Sequence, residues 1–330
     1  MKLNKNQIDA LNIELALTVE KADYEEKERK RLASYRKNAE FKGFRKGNVP
    51  ASLIKKFYGD QALAESVNEV ISEGLQKFID DEKLRLLGEP IPSEKQPEIE
   101  WVDGKDFDFL FDLGIYPEVK VEAGKDDVVN KYSITLSDKD KAPMVDGLKK
   151  YYEEQKQEKT DEEIDKEVTE RLKGQYENEA EWRLSRDIRD YFVEKAKVEL
   201  PEDFLKRWLV YANDGKISKE DVEKDFEGFL KDFRWQLVRD AFMKNYDLKV
   251  EKEDLEKEAR GLVAYQYAMY GMANVPEDIL NQQAQEVLSD RKQLDRVLEQ
   301  VEDRKVLEKL RSEITTKSKR ISAEKFRELK

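Results

Sequence analysis

The chain of 330 residues contains no cysteine and no histidine. The first absence removes disulfides, thiolate nucleophiles and thiolate metal sites. The second removes serine–histidine and cysteine–histidine pairs and the usual zinc ligands. A glycine-rich phosphate loop is missing too: the stretch from Gly43 to Gly47 lacks the Lys-Ser/Thr ending of a P-loop and does not follow a strand. Carboxylate chemistry stays open, but 74 Asp and Glu spread along helical segments read chiefly as a solvated face. No apolar run approaches 18 residues and no leader has a hydrophobic centre. The expectation is a cytoplasmic protein with no membrane span and no secretory signal. Catalytic residues, metal and cofactor are all expected to be none.

What is present is charge. Charged residues make up 41% of the chain and hydrophobic ones 38%, with a mean hydropathy of −0.87. That is too polar for one large globule, yet 14 Phe, 14 Tyr and 4 Trp are too many for disorder. One to three domains are expected at this length, in an elongated and largely helical protein. The net charge is −12. Residues 27–58 nevertheless hold eleven cations against Glu28 and Glu40, which makes that segment +9 and the remainder −21. Such a segment reads as a footprint for a polyanion, nucleic acid above all, or else as a solvated helix face with chance clustering.

The N-terminal part reads as a mixed α/β unit. Leu11 to Val19 alternates like a half-buried strand. Asp23 is expected to cap a charged helix to about Ala39, and Pro50 to open a short helix to Tyr58. Asp60 then caps a longer helix to about Glu82, with one apolar stripe from Leu63 to Ile79. Asp103-Gly104 predicts a hairpin joining PEIEWV to FDFLFDLGIY, and VVNKYSITL follows as a further extended stretch. From Asp138 onward the pattern is nearly all helix. Residues 151–192 read as one long charged helical stretch whose sparse apolar positions predict a thin arm. A weak repeat at an offset of 50 aligns RDYFVEKAKVELPEDFL (189–205) with RDAFMKNYDLKVEKEDL (239–255). A looser third copy at 306–326 supports a helical domain assembled from like units.

Gly43, Gly47 and Pro50 mark GFRKGNVP (43–50) as a turn-rich loop. Phe44 has little neighbouring chain to bury against, and Arg45 and Lys46 follow it. Either the loop presents a ring and two cations to a partner, or Phe44 folds back into a local core. The same stretch resembles the ribosome-docking signature of the trigger factor family, Gly-Phe-Arg-x-Gly-Lys-x-Pro, with Asn48 where that family usually has lysine. The resemblance extends through the helix after Asp60, the LGEPIP stretch, DFDFLFDLGIYPEV and the VELPEDFL-like units. It implies a ribosome-associated chaperone whose ribosome-binding residues are Gly43, Phe44, Arg45, Lys46 and Gly47. Its partners would be the large ribosomal subunit, met through rRNA and exit-rim protein, and nascent or unfolded polypeptides, with no membrane.

The implied fold class is α+β. It comprises an N-terminal α/β ribosome-docking domain (1–117), an extended linker (118–137) and an elongated all-helical client-binding domain with arms (138–330). Trigger factors usually insert an FKBP-like prolyl isomerase domain between the two. Here residues 148–214 hold a single glycine, Gly174, and charged helical sequence, so this form is expected to lack that domain.

Holding clients requires apolar surface that no fixed partner covers. GLVAYQYAMYGMANVP (261–276) places Val263, Tyr267 and Tyr270 on one helix face and Tyr265, Met269 and Met272 on another, so it is either buried or adhesive. Met243 and Tyr246 carry the same two readings. The client-binding candidates are therefore Met243, Tyr246, Tyr265, Met269 and Met272. The function expected is an ATP-independent holdase without isomerase activity. An RNA-binding protein gripping through 27–58, or a prolyl isomerase, stand as alternatives, and homodimerisation stays open.

Overall fold

Two antiparallel strands open the chain, β1 (Lys2–Gln7) and β2 (Asn12–Val19). Helices α1 (Lys21–Asn38) and α2 (Ala51–Asp81) follow, then β3 (Ile91–Pro92) and β4 (Phe107–Gly114). The strands form one antiparallel sheet in the order β1-β2-β4-β3. β2 alternates as its sequence requires, burying Ile13, Leu15, Leu17 and Val19. α2 covers that face with Leu63, Val67, Val70, Ile71 and Phe78, which recur at helical spacing. Full burial of side chains this size stabilises by about 1.5–3 kcal/mol each. The computed structural model that shows this describes residues 1–272 and 274–329. Ala273, inside the 261–276 stretch, and Lys330 lie outside the described residues.

The sheet region differs from the sequence expectation in several places. α2 is one helix of 31 residues, with no break at Gly59. A glycine inside a helix costs only about 1 kcal/mol, and buried Ile54 on one side with Ala62 and Leu63 on the other outweighs it. Residues 97–102 are not a strand. Asp103 and Gly104 do form a tight turn, with Lys105 N–H donating to the Val102 carbonyl. No ladder grows from it, because β4 already pairs with β2 along its whole length. The other edge of β4 is met by β3 and by the Gln96 side chain, which accepts from Leu110 N–H and donates to the Asp108 carbonyl. Trp101 instead packs its ring near Phe107 and Phe109.

The rest of the chain runs β5 (Val128–Thr135), α3 (Asp138–Glu154), α4 (Asp161–Ala196), α5 (Glu202–Ala212), α6 (Lys219–Asn245), α7 (Lys252–Met269), α8 (Glu277–Ser289), α9 (Arg291–Glu313), β6 (Thr315–Ser322) and α10 (Ala323–Arg327). Two compact units interleave along the sequence. The first joins Met1–Glu118 to Glu199–Phe229, the second Val119–Val198 to Leu230–Lys330. Thus α5, expected in the helical domain, belongs with the N-terminal sheet. Phe204 sits on Gly114 and Trp208 on Gly88, where an added Cβ would lie 2.4 Å from either ring. Arg207 bridges to Asp112 at 2.7 Å.

The second unit is not all helix. The segment expected as an extended linker, 118–137, contains β5, which pairs in parallel with β6 from Val128↔Thr315 to Thr135↔Ser322. The long helix expected over 151–192 is interrupted between α3 and α4. Lys156 takes a φ of 57°, and Thr160 caps α4 by accepting from Glu163 N–H while the Glu163 carboxylate accepts from Thr160 N–H.

The buried row of α4 recurs every four residues: Ile164, Val168, Leu172, Tyr176, Ala180, Leu184, Ile188, Phe192. Each such step advances roughly 40° around the helix, so the row winds about the axis and meets different neighbours along its length. Its first half packs with Tyr132, Leu148 and Phe326. At its far end Phe192 meets Phe242 edge-to-face at 5.1 Å. These two rings occupy equivalent places in the repeat, and Lys197 and Asp247, also equivalent, both turn the chain at a φ of 47°.

Candidate functional site

Residues 39–50 join α1 to α2 through two consecutive turns. Phe44 N–H donates to the Phe41 carbonyl at 3.0 Å, and Asn48 N–H to the Arg45 carbonyl at 2.9 Å. The third residue of each turn is a glycine of positive φ, Gly43 at 94° and Gly47 at 84°, as a type II turn requires. Nothing lies within 4 Å of a Cβ added to either, so conformation and not space demands glycine there. Beneath the turns Ala39, Val49 and Ile54 are buried, surrounded by Leu32, Tyr35, Phe41, Leu53 and Tyr58. Arg36 Nε donates to the Val49 carbonyl at 2.8 Å and ties the loop to α1. Phe44 is outside this cluster. It is 44% exposed, with Arg45 and Lys46 exposed after it. Phe41, three residues earlier, supplies the ring that closes the local core.

The charge around the loop is smaller than its sequence count. Lys27 reaches Glu69 and Glu73, Arg31 reaches Glu65 and Glu69, and Lys55 reaches Asp103, all between 2.5 and 2.8 Å. Arg29 and Lys30 share Glu26, and Lys46 lies 4.0 Å from Glu40. Arg36, Lys37, Lys42, Arg45 and Lys56 have no ion pair among the described residues. Those five cations lie at and beside the loop, while Lys27 and Arg31 are spent on α2 and Arg29 and Lys30 on Glu26 of α1.

The tyrosine–methionine stretch lies at the end of α7. Met272 N–H donates to the Tyr267 carbonyl and Gly271 N–H to the Ala268 carbonyl, with Gly271 at a φ of 79°. This is the left-handed cap that closes many helices. Ala259 and Val263 of α7 are buried, as is Ala284 of α8. Tyr265, Met269, Tyr270 and Met272 are 66%, 71%, 82% and 50% exposed, and Ile279 at the start of α8 is exposed as well. The five residues singled out from the sequence therefore separate. Tyr265, Met269 and Met272 stand in solvent. Met243 is half-buried. Tyr246 stacks on buried Phe242 at 5.9 Å, under the Lys309 ammonium at 4.9 Å. Burial, with Glu313 adding, pushes its phenol above the ordinary range. Helix phase in the sequence could not separate these residues, because it does not say which face a neighbour covers. Tyr270 and Ile279 enlarge the exposed set beyond the sequence candidates.

Residues 1–171 match the family model described as "Bacterial trigger factor protein (TF)", and residues 180–330 match "Probable trigger factor, C-terminal domain". The chain belongs to the trigger factor family. Trigger factor of Aliivibrio fischeri is 31% identical over 150 residues, a match covering 46% of this chain and 34% of that protein. Trigger factor of Aeromonas salmonicida is 31% identical over 152 residues, with the same coverage. This chain thus spans about a third of the length of the trigger factors it matches. A solved structure described as "Promiscuous Substrate Recognition in Folding and Assembly Activities of the Trigger Factor Chaperone" has a similar fold, with a TM-score of 0.53 and 15% identity. That likeness covers 94% of this chain and 99% of the other. Among the described residues no helix is long and apolar enough to cross a membrane, and no group of three or more Asp and Glu could hold a metal ion.

Proposed function

We propose that this chain is an ATP-independent cytoplasmic chaperone of the trigger factor family. It docks on the large ribosomal subunit beside the exit and holds nascent or unfolded polypeptides, without prolyl isomerase activity. Phe44, Arg45 and Lys46 make the docking contact on the frame given by Gly43 and Gly47. Tyr265, Met269, Tyr270 and Met272 form the client surface. The observation that carries the reading is the exposure of that tyrosine–methionine cluster. Water does not favour four large, mostly apolar side chains exposed within eight residues, so such a stretch marks a contact to be made. Thioethers repack against varied partners and phenols tolerate water between them, which suits changing clients. Against isomerase activity, residues 148–214 run through α3, α4 and α5 and contain no strand.

Suppression of the aggregation of an unfolded protein tests this reading. The intact chain should suppress it, and the F44A/R45A/K46A variant should suppress it equally well while failing to pellet with ribosomes. A protein that only grips RNA would suppress nothing in either form. Proline cis/trans exchange, which takes roughly tens to hundreds of seconds unaided, should not be accelerated. Acceleration in a clean preparation would contradict the last part of the reading.

A further inference from the structure

Phe57, on the second turn of α2, is 62% exposed, although Leu53 and Ile54 before it turn inward. Its ring meets Phe41 edge-to-face at 5.2 Å. The Phe41 carbonyl closes the first turn of the docking loop, so Phe57 is tied to the root of the turn that presents Phe44. That contact holds one edge of the ring while most of its surface stays in water. Lys56 precedes it, exposed and without an ion pair among the described residues, whereas Lys55 is held by Asp103 at 2.5 Å. Lys37 and Lys42 are likewise free of ion pairs. An exposed aromatic ring next to a free cation therefore occurs twice in this unit, as Phe44-Arg45 and as Lys56-Phe57.

We infer that Lys56 and Phe57 form a second RNA contact of the docking surface, with Phe57 stacking on an unpaired rRNA base and Lys56 meeting a flanking phosphate. This rests on the ribosome-docking reading given above. The charge argues for RNA: among the described residues Arg36, Lys37, Lys42, Arg45 and Lys56 have no ion pair, in a chain whose net charge is −12, and a polyanion is the partner such a segment attracts. The exposed flat ring beside a free cation argues for a base, since every base offers a π-face and single-stranded RNA is commonly gripped by aromatic rings flanked by cations. An aliphatic side chain can fill an apolar contact with protein but has no π-face to stack on a base, and that difference decides the test.

Binding of F57A, F57L, F57W and K56A to purified large ribosomal subunits is measured by co-sedimentation across a salt series, with thermal melting as control. F57A and F57L should weaken binding by about tenfold, the loss of one stacked base, and F57W should retain it. K56A should flatten the dependence of log affinity on log salt by about 0.7–0.9, the loss of one phosphate contact. If F57L binds like the wild type, the ring is a general apolar contact to ribosomal protein and the RNA assignment is overturned. If F57A binds like the wild type while F44A/R45A/K46A does not, the inference fails and the docking loop stands. If F44A/R45A/K46A also binds like the wild type, the docking reading itself fails. Should F57A melt early, F57L against F57W still decides, because both keep a large apolar side chain on Phe41.

Discussion

Glu28 sits on α1 with only 5% of its surface exposed and with no hydrogen bond or ion pair to its carboxylate among the described residues. Burial, and after it the charge of Asp103, pushes its carboxyl above the usual range, with Lys55 opposing. A carboxyl whose folded pKa lies above its unfolded value stabilises the fold only while protonated. Stability is therefore lost as pH rises through the raised folded value, and the loss is complete above it. Glu28→Gln should raise the melting temperature at pH 7 and change it little at about pH 3, below the ordinary glutamate value of about 4.3, where the carboxyl is protonated folded and unfolded. A lower melting temperature at pH 7 would show that the charge is held by something stabilising. The exposed residues of α7 behave oppositely to a core. Y265S/M269S/M272S should leave the melting temperature nearly unchanged while weakening suppression of aggregation. Equivalent truncations of buried side chains would cost on the order of 2–5 kcal/mol each, so a collapse in stability would return these residues to the interior.

Elements are held together by a few close approaches, and the seat of α5 on the N-terminal sheet is one of them. Gly114→Ala places a Cβ 2.4 Å from the Phe204 ring. The ring must shift, at about 1–3 kcal/mol for overpacking, which a urea unfolding midpoint registers. An unchanged midpoint would mean that α5 yields freely. This contact was not legible in the sequence, because glycines serving as seats for aromatic rings look like any other glycine. β2 and the stripe of α2 were legible, since apolar residues at periods of two and of three to four have one structural meaning each. β6 was hidden because TTKSKRIS is exposed through its first six positions and shows no apolar alternation. The break before α4 was written in Thr160 and Glu163 but lay within a uniformly charged run. Phe44 could be called outward or inward until Phe41 was seen to occupy the local core. The basic segment misled in magnitude, because Lys27 and Arg31 are neutralised by α2 carboxylates 34 to 46 positions away.

Across the whole molecule, the proposed roles fall to different units: docking to the one built on the N-terminal sheet, holding to the one that contains α7. Residues 27–58, which include the proposed docking loop, carry +9 in a chain whose remainder is −21, so a polyanion would be attracted to that segment and repelled by the net charge of the rest. The central claim is that the GFRKGNVP loop is a ribosome contact. Co-sedimentation of the intact chain with purified large subunits across a salt series tests it most directly, run beside F44A/R45A/K46A. Binding should be lost in the triple variant with helical content unchanged. For the native chain, log affinity should fall against log salt with a slope of about four to five, as the five unpaired cations and Lys46 would give, and not with the slope of about eight to ten that all eleven would give. Undiminished pelleting of the triple variant, or a flat salt response, would contradict it.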